Sequence, residues 1–118
     1  MPLREEAAAE VVLPFTQSEL FKQILSCEVL AYEMPFSFVQ ENGGITSGVI
    51  DLLLKRADGS VWAIDYKTDR VHPGGEGKIL EKYRPQLAVY SQAAQKLFPK
   101  QKVICSVVLL RTFAALDL

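Results

Sequence analysis

The chain has 118 residues, 49% of them hydrophobic and 23% charged, which fits one globular domain with a core of its own and excludes a disordered chain. Thirteen basic against fourteen acidic residues give a net charge of −1, which argues against a general nucleic-acid coat protein and leaves room for a locally acidic site. No apolar run reaches the ~18 residues that span a bilayer. The start, Met1-Pro2-Leu3-Arg4-Glu5-Glu6, leads into no apolar leader core, so the expected compartment is cytoplasmic. Cys27 and Cys105 read as reduced core thiols rather than a disulfide or a cluster site.

Thr16-Gln17-Ser18-Glu19 is a capping-box pattern with Thr16 as the cap, followed by Leu20, Ile24 and Cys27 at helical spacing. It predicts a helix over about 17–29. Residues 32–40 alternate in the manner of a strand, interrupted at Pro35, and Glu41-Asn42-Gly43-Gly44 is a turn. Residues 45–55 and 60–67 form a hairpin around Ala57-Asp58-Gly59. A loop over 68–78 carries three glycines and Pro73. A helix follows over 80–97, where Pro85 is tolerable only in the first turn. Residues 102–112 make a last, buried strand. The order is αβββαβ, an α/β domain with a mixed sheet of about four strands flanked by helices.

The chemistry lies in the hairpin. Asp51 sits between Ile50 and Leu52, and Asp65 between Ile64 and Tyr66. An ionised carboxylate in such company is costly, and two brought together repel each other. A divalent cation removes both difficulties, and hard Mg²⁺ prefers oxygen ligands. Lys67 follows Asp65 by two residues and so shares its strand face. Taken singly, each carboxylate reads more readily as a solvated strand end than as a functional group. Asp58 is a turn residue and His72, the only histidine, reads as a surface residue. Asp69 reads as a loop charge close enough to support the site or touch a ligand.

Four stretches in fixed order carry a family likeness: Gly48-Val49-Ile50-Asp51, then Asp58-Gly59, then Trp62-Ala63-Ile64-Asp65-Tyr66-Lys67-Thr68, then Tyr83-Arg84-Pro85-Gln86-Leu87-Ala88-Val89-Tyr90. Together they resemble the RecB-type branch of the PD-(D/E)xK nucleases, as in the C-terminal nuclease domain of AddA and RecB helicase–nucleases. The resemblance implies a restriction-endonuclease-like fold and a Mg²⁺- or Mn²⁺-dependent DNA exonuclease. It implies Asp51 and Asp65 as metal-binding carboxylates, the Tyr66 carbonyl as a further ligand and Lys67 as the catalytic lysine. Glu33 matches an upstream acidic position. Gln86 and Tyr90 match a Gln-x-x-x-Tyr motif near the DNA, with Tyr83 and Thr68 as further supporting or DNA-binding positions. The implied partners are DNA and an attached or partner helicase with an AddB-like subunit, in double-strand-break repair and recombination. Full members of this branch carry an upstream histidine ligand, and nothing before Glu33 supplies one. The expectation is therefore a single nuclease core, residues 1–118, cut from the C-terminal part of a longer helicase–nuclease. Such a piece would bind metal weakly and cleave poorly by itself. The alternative is a catalytically silent nuclease fold that grips DNA or a partner subunit. No phosphate-binding loop occurs, so this piece is not a motor.

The hairpin register is decisive. Facing residues in an antiparallel pair lie about 4.5–5.5 Å apart. Setting Asp51 opposite Asp65 pairs Arg56 with Ser60 and Lys67 with Val49. The loop is then Ala57-Asp58-Gly59, a length that wants glycine in the left-handed region at its last position. A two-residue turn would send the carboxylates to opposite faces.

Overall fold

The computed structural model describes residues 8–118, so the leader reading of the first residues lies outside what is described. Two short helical turns, Ala8–Val12 and Leu13–Phe15, precede helix α1, Glu19–Leu25. Strands β1 (Glu28–Val39), β2 (Ile45–Lys55) and β3 (Val61–Lys67) come next, then the long helix α2 (Glu76–Leu97), then β4 (Val103–Leu109) and β5 (Ala114–Asp117). The five strands lie in chain order in one sheet. The β1–β2, β2–β3 and β4–β5 pairs are antiparallel, while β3–β4 is parallel. A parallel pair needs a long crossover, and α2 is that crossover.

Two clusters of side chains cover the two sheet faces. On one, α2 lays Leu87, Tyr90 and Ala94 over Leu53, Val61, Ala63, Cys105, Val107 and Leu109. On the other, Phe15 and Ile24 cover Leu52, Leu54, Trp62, Ile64 and Val108. Residues of β3 and β4 alternate between these clusters as the pleat requires. Each fully buried Leu or Ile contributes roughly 2–3 kcal/mol of apolar burial.

Several boundaries differ from the sequence reading, each for a local reason. Helix α1 is capped by Ser18, whose hydroxyl accepts from the Phe21 N–H. Thr16 instead donates to the Leu13 carbonyl, so the expected capping box does not form. Helix α2 begins at Glu76 rather than 80, and Pro85 lies well inside it. Proline frees the carbonyl four residues earlier. That residue is Glu81, which is exposed, as is Pro85, so solvent can satisfy the carbonyl. The last strand is in fact two. Phe113 adopts φ 60, and residues 114–117 return as β5. β5 is tied in by a chain that runs outward from the core, in which Trp62 Nε1 donates to Ser106 Oγ and Ser106 donates to Asp117.

Candidate active site

The β2–β3 hairpin sets the geometry. Its ladder pairs Lys55 with Val61, Leu54 with Trp62, Leu53 with Ala63 and Leu52 with Ile64. The loop is closed by Arg56 N–H donating to the Ser60 carbonyl, and Gly59 adopts φ 87. This is the odd-length loop, and its register carried one step further sets Asp51 against Asp65. The strands part there, however. The ladder ends at Leu52 and Ile64, and the expected pairing of Lys67 with Val49 does not form. Val49 pairs with Pro35 of β1, and Lys67 with Leu109 of β4.

The reason is a break in the pleat. Ile50 and Leu53 are three residues apart, yet both pack on the α2 side. Ala31 and Met34, their counterparts on β1, do the same. The alternation therefore slips by one between them, at Asp51 and Glu33. Glu33 has φ 45, a strained value for a residue with a side chain. The register itself holds across this point, Tyr32 with Leu52 and Met34 with Ile50, and the one bulge of the pair lies earlier, between Val29 and Ala31. Here the slip leaves the Asp51 carboxylate at the fork, where its Oδ2 accepts the Tyr66 N–H at 2.9 Å. A side chain has taken the place of a main-chain partner.

Asp65 is buried, with 3% of its surface exposed. Burial and, less strongly, the adjoining Asp51 carboxyl push its carboxyl up against the pull of the Lys67 ammonium, to about 6 in all. Asp51 and Asp65 are thus neighbours at the fork, with Asp51 bonded to the N–H of the residue that follows Asp65. Lys67 Nζ lies 3.1 Å from Asp65 Oδ2. That contact is an ion pair without hydrogen-bond geometry, so Oδ2 is a buried oxygen with no hydrogen bond. A buried carboxylate oxygen left this way is suited to a cation.

Helix α2 stands over the same side. Tyr90 is buried, and its hydroxyl is pushed up to about 12 by burial and by the charges of Asp65 and Asp51. Gln86 Nε2 donates to the Tyr90 hydroxyl at 3.0 Å. The Phe36 ring packs edge-on against Tyr90 at 5.7 Å between centroids. It lies across Gly48, where any Cβ would come within 2.7 Å of the ring. Tyr83 presents its ring to Lys67, with Nζ 4.6 Å from the centroid. Thus α2 brings Tyr83, Gln86 and Tyr90 to the carboxylates and the lysine.

On the opposite side of the fork is a cavity of about 410 Å³ lined by Asp51, Glu33, Tyr32, Tyr66, Thr68 and Phe15, among others. Burial first, and Asp51 second, push the Tyr66 hydroxyl up to about 12. Glu33 and Thr68 thus join Asp51 here rather than on the α2 side. His72 is exposed and stands apart from this group. Among the described residues, no group of three or more His, Cys, Asp and Glu side chains is placed to hold a metal. The sequence reading missed Arg111, whose Nε donates to the Thr68 carbonyl at 2.8 Å and steadies the chain beyond Lys67. It also missed Phe15 as a cavity wall, although the apolar run Val11–Phe15 was a signal. No described helix is long and apolar enough to cross a membrane.

Residues 2–113 match the PD-(D/E)XK nuclease superfamily. The chain is 36% identical over 112 residues to an ATP-dependent helicase/nuclease subunit of Bacillus cereus (strain B4264), covering 78% of this chain and 9% of that protein. A protein of the same name from Bacillus thuringiensis (strain Al Hakam) is 35% identical over 112 residues, with the same two shares. Another from Desulforudis audaxviator (strain MP104C) is 42% identical over 57 residues, or 48% of this chain and 5% of that protein. The chain thus spans less than a tenth of the length of these relatives.

Proposed function

This chain belongs to the PD-(D/E)XK nuclease superfamily, and on that premise we propose that it hydrolyses phosphodiester bonds of DNA with Mg²⁺ or Mn²⁺ held by Asp51 and Asp65. The observation that carries the reading is the buried Asp65 oxygen that has no hydrogen bond, beside a lysine 3.1 Å away, at the strand fork where Asp51 takes the Tyr66 N–H. The residues present suit a hard divalent cation, and the Tyr66 carbonyl, whose own N–H is bonded to Asp51, is the proposed third ligand. When bound, such a cation supplies a water of lowered pKa and polarises the phosphate. Lys67 places a positive charge where the attacking water is oriented and where negative charge grows on the phosphate. Gln86 and Tyr90 line the DNA side, with Tyr83, Glu33 and Thr68 in support.

The relatives' name places a nuclease beside a helicase in one polypeptide. We therefore take this chain as the nuclease core of such a protein, an exonuclease that degrades strands unwound by the helicase during double-strand-break repair and recombination. Its proposed partners are DNA and an AddB-like subunit. A second reading, a silent nuclease fold that grips DNA, is favoured by one observation, the absence of a third metal-capable side chain among the described residues.

Incubating labelled single- and double-stranded DNA with the chain decides between them. The nuclease reading expects slow cleavage that needs Mg²⁺ or Mn²⁺, stops with EDTA and is absent from Asp65→Ala. DNA retention with neither cleavage nor Mn²⁺ binding would establish the silent module instead.

A further inference from the structure

Lys67 is held on three sides, and only one of them is a carboxylate of the proposed metal site. The second is the face of Tyr83. The third is the main chain, where the Leu110 N–H donates to the Lys67 carbonyl at 3.0 Å. Tyr83 is itself fastened. Its hydroxyl donates to Asp69 Oδ1 at 2.8 Å, and Lys82 Nζ lies 3.0 Å from Asp69 Oδ2. The Lys82 ammonium also sits over the same ring, 5.0 Å from its centroid. Asp69 lies just beyond β3, two residues past Lys67, so one carboxylate ties the end of β3 to the first half of α2.

We propose that Tyr83 and Asp69 are positioning residues for Lys67, with Asp69 orienting the Tyr83 ring and the ring face holding the Lys67 ammonium over the carboxylate site. The inference rests on the nuclease reading only for its consequence in catalysis, since the placement itself is geometric. A lysine side chain is long and has much rotamer freedom to lose when it is held in one place. Asp65 alone is a poor anchor for it, because the contact lacks hydrogen-bond geometry and because a cation bound by Asp65 takes up the charge that attracts the ammonium. The ring quadrupole is unaffected by that change, and its attraction for a cation over the face is stronger where solvent is excluded. Lys67 is largely screened from solvent, with 16% of its side chain exposed. Asp69 has no other described role to explain its arrangement. Burial raises its carboxyl, but the bonds from Tyr83 and Lys82 outweigh this and hold it below the ordinary value.

The test uses the full chain with carbon-13-labelled lysine and the variants Tyr83→Leu, Tyr83→Phe and Asp69→Asn, with Lys67→Met assigning the signal. A methylene beside an ammonium stacked on a ring is shifted upfield. The Lys67 ε-methylene should be upfield in the wild type, return to the position of free lysine in Tyr83→Leu, and keep only part of its displacement in Tyr83→Phe and in Asp69→Asn, since each weakens or removes the Tyr83–Asp69 bond. Cleavage assays run alongside. Tyr83→Leu should lower kcat by about tenfold with little change in KM, and Tyr83→Phe and Asp69→Asn should fall between it and the wild type. An unshifted Lys67 signal in the wild type overturns the proposal, as does a kcat in Tyr83→Leu equal to that of a cleaving wild type. If the wild type does not cleave under any metal condition, the nuclease reading of this chain fails, and the spectra still uphold or overturn the tether. Tyr83→Phe and Asp69→Asn keep the shape of the helix–strand contact and guard against a variant that does not fold.

Discussion

Replacing Asp65 by Asn should stabilise the metal-free protein at neutral pH while destroying its site. The folded-state carboxyl titrates at about 6, against an ordinary value of 3.8. Below both values, folded and unfolded chains each hold the proton, and the group contributes nothing. Between about 4 and 6, the folded chain keeps a proton that the unfolded chain has released, so stability falls as pH rises. Above about 6 the penalty is complete. A shift of about two pKa units at about 1.4 kcal/mol per unit amounts to roughly 3 kcal/mol. Solvent screening takes little from this figure, because Asp65 is 3% exposed. Asn has the shape of the neutral acid, so Asp65→Asn should gain roughly 3 kcal/mol over the wild type at pH 7.5 and almost nothing near pH 3.5. In melting temperature that is on the order of 10 °C. Urea unfolding in EDTA, followed by fluorescence of Trp62, the single and buried tryptophan, reads the difference across pH. Excess Mg²⁺ should then raise the wild type and leave the variant unmoved. Parallel wild-type and variant curves between pH 4 and 7, or a variant less stable at pH 7.5, would refute the account of Asp65 as a buried charge held ready for a cation.

Asp51→Asn should weaken Mn²⁺ binding at least about tenfold by calorimetry, since a neutral amide is a poorer ligand for a hard cation. Binding at the wild-type level would remove Asp51 from the site. Gln86→Ala should lower DNA cleavage about tenfold while moving the melting temperature by no more than about 2 °C, because its one described bond is to Tyr90 on its own helix. A large loss of stability with cleavage intact would make that helix face merely structural. Gly59→Ala should destabilise by about 1–2 kcal/mol in urea unfolding. The added methyl meets nothing within 4 Å, so the cost is that of φ 87 alone. An unchanged midpoint would mean that the loop does not hold the register.

The elements that carry strong local signals were legible from the chain itself. β2 is bounded where alternation and turn residues place it, and Gly59 marks the loop whose length puts Asp51 and Asp65 in one register. Side-chain period in a strand is two, so turn length alone decides which residues share a face. The spacing of Tyr83, Gln86 and Tyr90 likewise puts them on one face of α2, whatever the helix packs against. Other features have no local cause. Helix α2 starts early and runs through Pro85 because burial of Ile79, Leu80, Tyr83 and Leu87 against the sheet outweighs a lost hydrogen bond on the exposed side. β5 is a strand because the free edge of β4 offers it a ladder from Ser106 to Leu109, which no reading of residues 114–117 reveals. The slip in the pleat at Glu33 and Asp51 is the chief case. It belongs to two strands at once, and it replaces the simple opposition of Asp51 and Asp65 by a fork in which Asp51 takes the Tyr66 N–H. Asp69 reads as a loop charge until α2 comes back over β3 and brings Tyr83 to it. Residue type and spacing settled which groups are available and which face each element presents, because those follow from backbone geometry. Which carboxylate is buried, which oxygen is left without a partner and what holds the lysine depend on contacts between residues distant in the chain, and only the folded sheet and its crossover helix decide them.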